Sequence, residues 1–379
     1  MNADADQLQW GSYLLSEGPQ FDGLWSRLLH AGGRRVLLIL GIGFDDRMCS
    51  CLERLLGCGG VDAIDVVAIE FNEGPASPSA NYASFRDANI KRLEAALPAE
   101  RIRQAPVAVV TDGGRRIGAR SIASLFEARS DLVEYTDVVV DVSALPRGLY
   151  FPLIAKLLRL VGDEVPPAAP NLHVMVAHSS EADKRIVEEG VEENATYLHG
   201  FAAATFESEA TREQPRIWIP LMGHDQRTQF ERINVLIDPS EICPLLPSPS
   251  TNPREADDLV LEYRDLLLDQ LQAEPRNIIY GCETNPFEVY RQIVTSALDY
   301  HRVLHPLGGC KIVLSAMSSK LLSLGALLAA YDLYYVNPQR MDVAVAHVEA
   351  QGYSIRPSEN LLAQPELYSL WLTGECYES

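Results

Sequence analysis

The residues of this sequence that could do chemistry stand just past runs of apolar residues. Gly41 and Gly43 follow Val36 to Leu40 and lead into Asp45 and Asp46, and Glu70 ends the next apolar run. Gly114, Arg115, Arg116 and Arg120 belong to a stretch in which three arginines alternate with three glycines. Asp141, Ser143 and Arg147 follow one later run, and Ser315 and Lys320 follow another. Glycine lets backbone N–H groups come close to an anion, and guanidinium grips phosphate through two parallel hydrogen bonds. An acid at the end of a second strand is placed to hold a ribose hydroxyl. Asp46, Asp141 and His224 are the candidates for proton transfer or catalysis, and Asp45 is placed to cap the helix that follows it.

Such residues need elements that bring them together. Five apolar residues from Val36 to Leu40, bounded by charge and glycine, predict a strand covered on both faces. Further strands are expected at 63–69, 107–110, 137–142 and 172–177, with helices between them, including one over 85–97 and an apolar one that reaches about residue 160. Five β-α repeats in succession imply a parallel sheet with helices on both faces. In such sheets ligands bind beyond the carboxyl ends of the strands.

A strand at 197–206 and a polar stretch at 207–215 containing Pro215 lead to a second alternating series. Its strands are expected at 234–237, 277–280, 311–314 and 342–346, and its helices at 254–273, 286–304 and 318–333. The fold class is therefore α/β, with Rossmann-like parallel sheets in two halves, 1–206 and 216–379. Val142-Ser143-Ala144-Leu145 echoes Leu314-Ser315-Ala316-Met317, which would make the second half a distant repeat of the first. The segment 239–253, with prolines at 239, 244, 247, 249 and 253, reads as a lid or an interface arm.

Composition narrows the partners. With 379 residues and 47% hydrophobic content the chain can bury a large core. A balance of 32 basic against 52 acidic residues gives a net charge of -20, which disfavours generic nucleic-acid binding. No apolar run reaches the roughly 18 residues of a membrane span, and an acidic N-terminus is unlike a secretory leader. A cytoplasmic protein is expected. Its seven cysteines are expected to be reduced, with Cys49, Cys51 and Cys58 packing in the core rather than holding zinc.

Gly41-x-Gly43 lacks the third glycine of a dinucleotide fingerprint, and two acids beside a pyrophosphate would repel it, so NAD is disfavoured. S-adenosylmethionine suits Gly41, Gly43 and Glu70 better. Asp45, Asp46, Asp112 and Asp141 could instead gather Mg2+ for nucleotide chemistry. Three classes stay open: a nucleotide-binding sensor or accessory protein, a methyltransferase or Mg-dependent nucleotide enzyme, and an assembly subunit with a protein partner or a second copy of itself.

The turns Asp141-Val142-Ser143-Ala144-Leu145-Pro146-Arg147 and Leu314-Ser315-Ala316-Met317-Ser318-Ser319-Lys320 resemble the ligand loops of CRISPR-associated Rossmann-fold sensor domains. That resemblance implies binding of a nucleotide second messenger in prokaryotic antiviral defence. The reading carried forward is a small phosphorylated ligand held by Gly41, Gly43 and Glu70 at its base or ribose end and by Arg115, Arg116, Arg120 and Arg147 at its phosphates.

Overall fold

The computed structural model describes residues 8–377 apart from 75, 76, 112, 163, 165, 167, 203–205, 207, 338–340 and 357–363. Asp112, one of the Mg2+ candidates, lies outside the described residues. The chain forms two compact units, one of Ser12–Gly190 with Ala350–Ser379, the other of Met1–Gly11 with Val191–Glu349. This division differs from a cut at residues 207–215: the strand expected at 197–206 joins the later sheet, and the last strand of the chain joins the earlier one.

Elements are numbered along the whole chain. The first unit opens with β1 (Leu14–Glu17), α1 (Gly18–His30), β2 (Val36–Ile42), α2 (Ser50–Leu55), β3 (Ile64–Asn72), α3 (Ala83–Ala96) and β4 (Ile102–Ala108). It continues with α4 (Gly118–Ala123), β5 (Asp137–Asp141), α5 (Arg147–Val161), β6 (Asn171–His178), α6 (Ser180–Arg185) and β7 (Ile186–Glu188). Near the chain end β15 (Tyr353–Ile355) and β16 (Glu366–Thr373) complete it.

The spatial order is β1-β16-β6-β5-β2-β3-β4. β2 to β6 are parallel; at one edge β16 pairs antiparallel with β6, and β1 antiparallel with β16. The five parallel strands thus lie in the Rossmann order 3-2-1-4-5. Every residue of β2 is buried, as an uninterrupted apolar run demands. On one face Val36, Leu38 and Leu40 pack with Phe21, Trp25, Met48, Cys51, Leu52 and Leu93 from the neighbouring helical segments. Cys49, Cys51 and Cys58 are buried here, and burial pushes the Cys49 thiol up to about 11, so it stays protonated at neutral pH.

The end of the sheet away from the strand carboxyl ends is tied by Asp137 at the start of β5. Its side chain, 1% exposed, accepts from Asn171 Nδ2 at 2.9 Å, Thr136 Oγ1 at 2.6 Å and Arg34 Nη1 at 3.3 Å, and faces His173 Nε2 at 3.2 Å. Burial works to raise its pKa, but His173, Thr136 and Arg34 outweigh it and hold the carboxyl below its ordinary value. A depressed native pKa means stability present above the unfolded value and lost as pH falls through the native one. Asp137→Asn should therefore lower stability at pH 7 by about 1–3 kcal/mol and flatten the loss of stability below about pH 4, read from urea unfolding at pH 7 and pH 3. An unchanged pH profile would contradict this assignment.

The second unit carries β8 (Thr196–Ala202), β9 (Arg216–Leu221), α7 (Arg227–Ile237), β10 (Glu241–Ile242), β11 (Leu245–Pro247), α8 (Glu255–Glu262) and β12 (Ile279–Gly281). Then come α9 (Pro286–Leu304), β13 (Lys311–Ala316), α10 (Lys320–Tyr331) and β14 (Asp342–His347). The order β12-β11-β9-β13-β14 is again 3-2-1-4-5, with β8 antiparallel beside β14. Both units are therefore mostly parallel α/β sheets flanked by helices, as the alternating patterns require.

Two local expectations fail here. Residues 234–237 are not a strand but the last turn of α7, whose Phe230, Ile233 and Ile237 face the core at helical spacing. The proline-bearing segment 239–253 is not a lid: residues 242–247 are buried, and β11 pairs with both β9 and β12 inside the sheet.

Candidate functional site

In the first unit the chain runs outward from β2 to β3 and β4, then returns to the other side of β2 as β5 and β6. The connections after β2 and β5 therefore lead to opposite sides of β2, which makes this the switch point where open α/β sheets hold ligands. These loops touch. A Cβ on Gly41 would lie 2.5 Å from Leu145 Cδ2 and 3.2 Å from the Ala144 carbonyl oxygen, and one on Gly43 would lie 3.6 Å from Ala144. Glycine at 41 thus serves close approach rather than a turn, since β2 continues through Gly41 to Ile42.

The loop of residues 43–47 is held from several sides. Asp45 accepts from Arg47 N at 3.0 Å, capping the short 3-10 helix as expected, and its carboxylate is paired with the Arg47 guanidinium at 2.8–3.2 Å. Arg47 also reaches Asp183 at 2.7 Å, and Asp183 faces His178 Nδ1 at 3.6 Å. From α3, Asn89 Nδ2 donates to the carbonyls of Gly43 and Asp45, and Arg92 donates to that of Asp46. The Asp46 side chain stands at the rim, and partial desolvation together with the Asp45 carboxylate raises its pKa.

The loop after β5 places Asp141 and Ser143 inside. Asp141, 1% exposed, accepts from Ser143 N at 2.9 Å, and Ser143 Oγ accepts from Ala177 N at 2.8 Å. Arg147 opens α5, with Nη2 3.4 Å from Glu188 Oε1 on β7. Glu70 lies within β3 near its end and meets Arg86 at 3.7 Å, both about half exposed.

The arginine-glycine stretch folds back as a tight hairpin on the end of β4. Val110 bridges Arg116, and the N–H groups of Thr111, Gly114, Ile117 and Gly118 all donate to carbonyls within it. Those four donors are committed; the Arg115 and Arg120 side chains are exposed and Arg116 is partly buried. Gly118 lies against Leu149 of α5, where a Cβ would come within 3.0 Å of Cδ2. Loops 41–47 and 141–147 are thus in contact, and 113–120 joins them through α5.

The second unit repeats this plan. Gly223-His224-Asp225-Gln226-Arg227 follows β9 as Gly43-Phe44-Asp45-Asp46-Arg47 follows β2. A Gly-x-Asp-x-Arg motif therefore stands after the central strand of each sheet, the two copies 180 positions apart in the sequence. Gly223 abuts the loop after β13, and a Cβ there would lie 2.0 Å from the Met317 carbonyl oxygen. His224 lies between two carboxylates, Nδ1 at 2.5 Å from Glu262 and Nε2 at 3.1 Å from Glu255. Glu262 also accepts from Asp225 N, and Tyr263 Oη donates to Gly223 O at 2.8 Å. Ser315 is buried and accepts from Trp218 Nε1 at 2.9 Å, while Lys320 opens α10. In this unit the residues after β9 and β13 are engaged with their own surroundings.

Two features escaped the sequence. Phe44 packs on Tyr82 with the rings tilted by 39° and 5.1 Å between centroids, and Tyr82 meets Phe85 at 6.3 Å. Tyr82 Oη accepts from Ile355 N, which fixes the ring, while Phe85 stays 55% exposed. Glu188, the partner of Arg147, comes from a three-residue strand whose sequence carries no marker of a site. Among the described residues no group of three or more His, Cys, Asp or Glu side chains could hold a metal ion, and no helix is long and apolar enough to cross a membrane.

No family model matches the chain, and no curated protein matches it. Among solved structures it is similar to a functionally unknown protein from Pseudomonas aeruginosa PAO1, at 9% identity over 83% of this chain and 92% of that chain, with a TM-score of 0.22. A putative universal stress protein from Pseudomonas aeruginosa UCBPP-PA14 gives 9% identity, 83% and 93% coverage and a TM-score of 0.22. A universal stress protein from Archaeoglobus fulgidus DSM 4304 gives 8% identity, 82% and 95% coverage and a TM-score of 0.22. Likenesses this low carry no weight for function.

Proposed function

We propose that the carboxyl rim of the first sheet binds a nucleotide or a similar phosphorylated small ligand, and that the protein is a sensor or accessory component of prokaryotic antiviral defence. The observation that carries the binding reading is the contact of loops 41–47 and 141–147 at the switch point, with Arg147 at the start of α5. A switch-point position, a guanidinium and a helix N-terminus together favour an anionic group. Glu70 on the adjacent strand stands where a ribose hydroxyl would be met, and the exposed face of Phe85 offers a surface for a base. The defence setting rests on the resemblance of the 141–147 and 314–320 turns to CRISPR-associated Rossmann sensors.

A thermal-shift screen with mononucleotides, dinucleotides and cyclic oligonucleotides tests it. A true ligand at 100 times its Kd stabilises by about 2.7 kcal/mol. Arg147→Ala should remove about 1.5–3 kcal/mol of that ligand's binding, and Phe85→Ala about 1–3 kcal/mol while leaving inorganic pyrophosphate unaffected. No stabilisation by any nucleotide, or full binding by Arg147→Ala, contradicts the reading.

A further inference from the structure

Arg147 sits in an electrostatically awkward place. It is a cation on the first residue of α5, a 15-residue helix, at the end where the helix dipole is itself positive. Only about a fifth of its side chain is exposed, and its ion-pair partner Glu188 is 11% exposed. The contact is 3.4 Å long, whereas a well-formed guanidinium-carboxylate hydrogen bond measures about 2.7–2.9 Å. At this length the Arg147–Glu188 contact supplies charge rather than a short hydrogen bond.

The element that carries Glu188 is slight. β7 and β15 form a two-stranded antiparallel ribbon, three residues each, with Tyr353 opposite Glu188. None of the six residues is fully buried, and a ribbon of this size is marginal without support. Much of its support is polar: Tyr353 N donates to Ser79 Oγ, Ile355 N to Tyr82 Oη, and Arg185 Nε to Arg356 O. It has no share in the seven-stranded sheet.

We propose that Glu188 is an internal competitor for the ligand's anionic group: the β7-β15 ribbon holds its carboxylate on Arg147, and an incoming phosphate takes over Arg147 and releases the ribbon. This inference rests on the reading of Arg147 as a phosphate-binding residue. A tetrahedral phosphate can meet the guanidinium through two oxygens and the α5 N-terminus through a third, which the tethered carboxylate does not do at 3.4 Å.

Titration calorimetry with inorganic pyrophosphate tests it on the full chain. Glu188→Gln should bind pyrophosphate at least fivefold more tightly than the wild type, and trypsin should cut after Lys184 or Arg185 faster in the unliganded variant. Glu188→Asp, which draws the carboxylate back by one methylene, should fall between the two and covers the case in which Glu188→Gln folds poorly. Equal or weaker pyrophosphate binding by both folded variants overturns the inference. If they behave so while a nucleotide still binds in an Arg147-dependent way, the competitor role falls and the nucleotide site stands. Indifference of every ligand to Arg147→Ala removes both.

Discussion

Replacing Arg47 by alanine is expected to lower the stability of the first unit by about 3–5 kcal/mol, the range found when one partner of a buried ion pair is removed. The Arg47 side chain is 5% exposed and Asp45 is 9% exposed, so neither can turn to water when the other is lost. Arg47 makes three side-chain contacts with Asp45, one with Asp183 and one with the Ala177 carbonyl, joining the loop after β2 to the end of β6. Truncation leaves the Asp45 carboxylate buried without its guanidinium partner. Arg47→Lys keeps the charge but not the fork, and should recover only part of the loss. Removing both residues, as Asp45→Ala with Arg47→Ala, should cost less than Arg47→Ala alone, because no unpaired charge remains inside. Urea unfolding measures all three, and a loss under about 1 kcal/mol for Arg47→Ala would show the pair to be solvated.

Gly223→Ala is the second large effect, expected at about 3 kcal/mol and confined to the second unit. The added Cβ would stand 2.0 Å from the Met317 carbonyl oxygen and 3.0 Å from Ser318 Cα. Both are backbone atoms, so no rotamer change relieves the clash and the loops after β9 and β13 must separate. Tyr263 holds Gly223 from the other side through its hydroxyl. Gly23→Ala in α1, where a Cβ meets nothing within 4 Å, is the control and should stabilise by about 0.4–1 kcal/mol. Equal melting behaviour of the two variants would contradict the close approach of the loops.

Much of this architecture could be read from the chain because apolar runs ending at glycine and acid leave few alternatives. Val36 to Leu40 fits only a doubly covered strand, and β2 is one. Other elements were hidden by proline. Pro220 in β9, Pro247 in β11 and Pro106 in β4 each argue against a strand by local rules, although β4 lies at the edge of its sheet, where proline is tolerated. Residues 234–237 misled for the opposite reason, since a short apolar run gives no period and the helical spacing appears only when Phe230 and Ile233 are included. β16 is remote in sequence from β6, its partner, so the local pattern could not assign it to that sheet.

The candidate site was legible by position and less so by role. The rim residues 41–47 and 141–147 do converge, because both follow parallel strands that flank the switch point. What each side chain does there depends on partners that spacing does not reveal. Asp45 is turned onto Arg47, Ser143 onto Ala177 N and Ser315 onto Trp218, which makes them organisers of the loops. The aromatic step from Phe44 through Tyr82 to Phe85 needs the packing of α3 beside the loop, and Glu188 needs the ribbon.

The site proposed for a phosphorylated ligand is the rim where the loops after β2 and β5 meet. The most direct test is a crystal structure with the nucleotide that gives the largest thermal shift. The expected result is a phosphate group within hydrogen-bonding distance of the Arg147 guanidinium and the start of α5, with Glu188 displaced. Ligand density beyond the strand ends of the second sheet, or on a face of either unit away from residues 41–47 and 141–147, would contradict it.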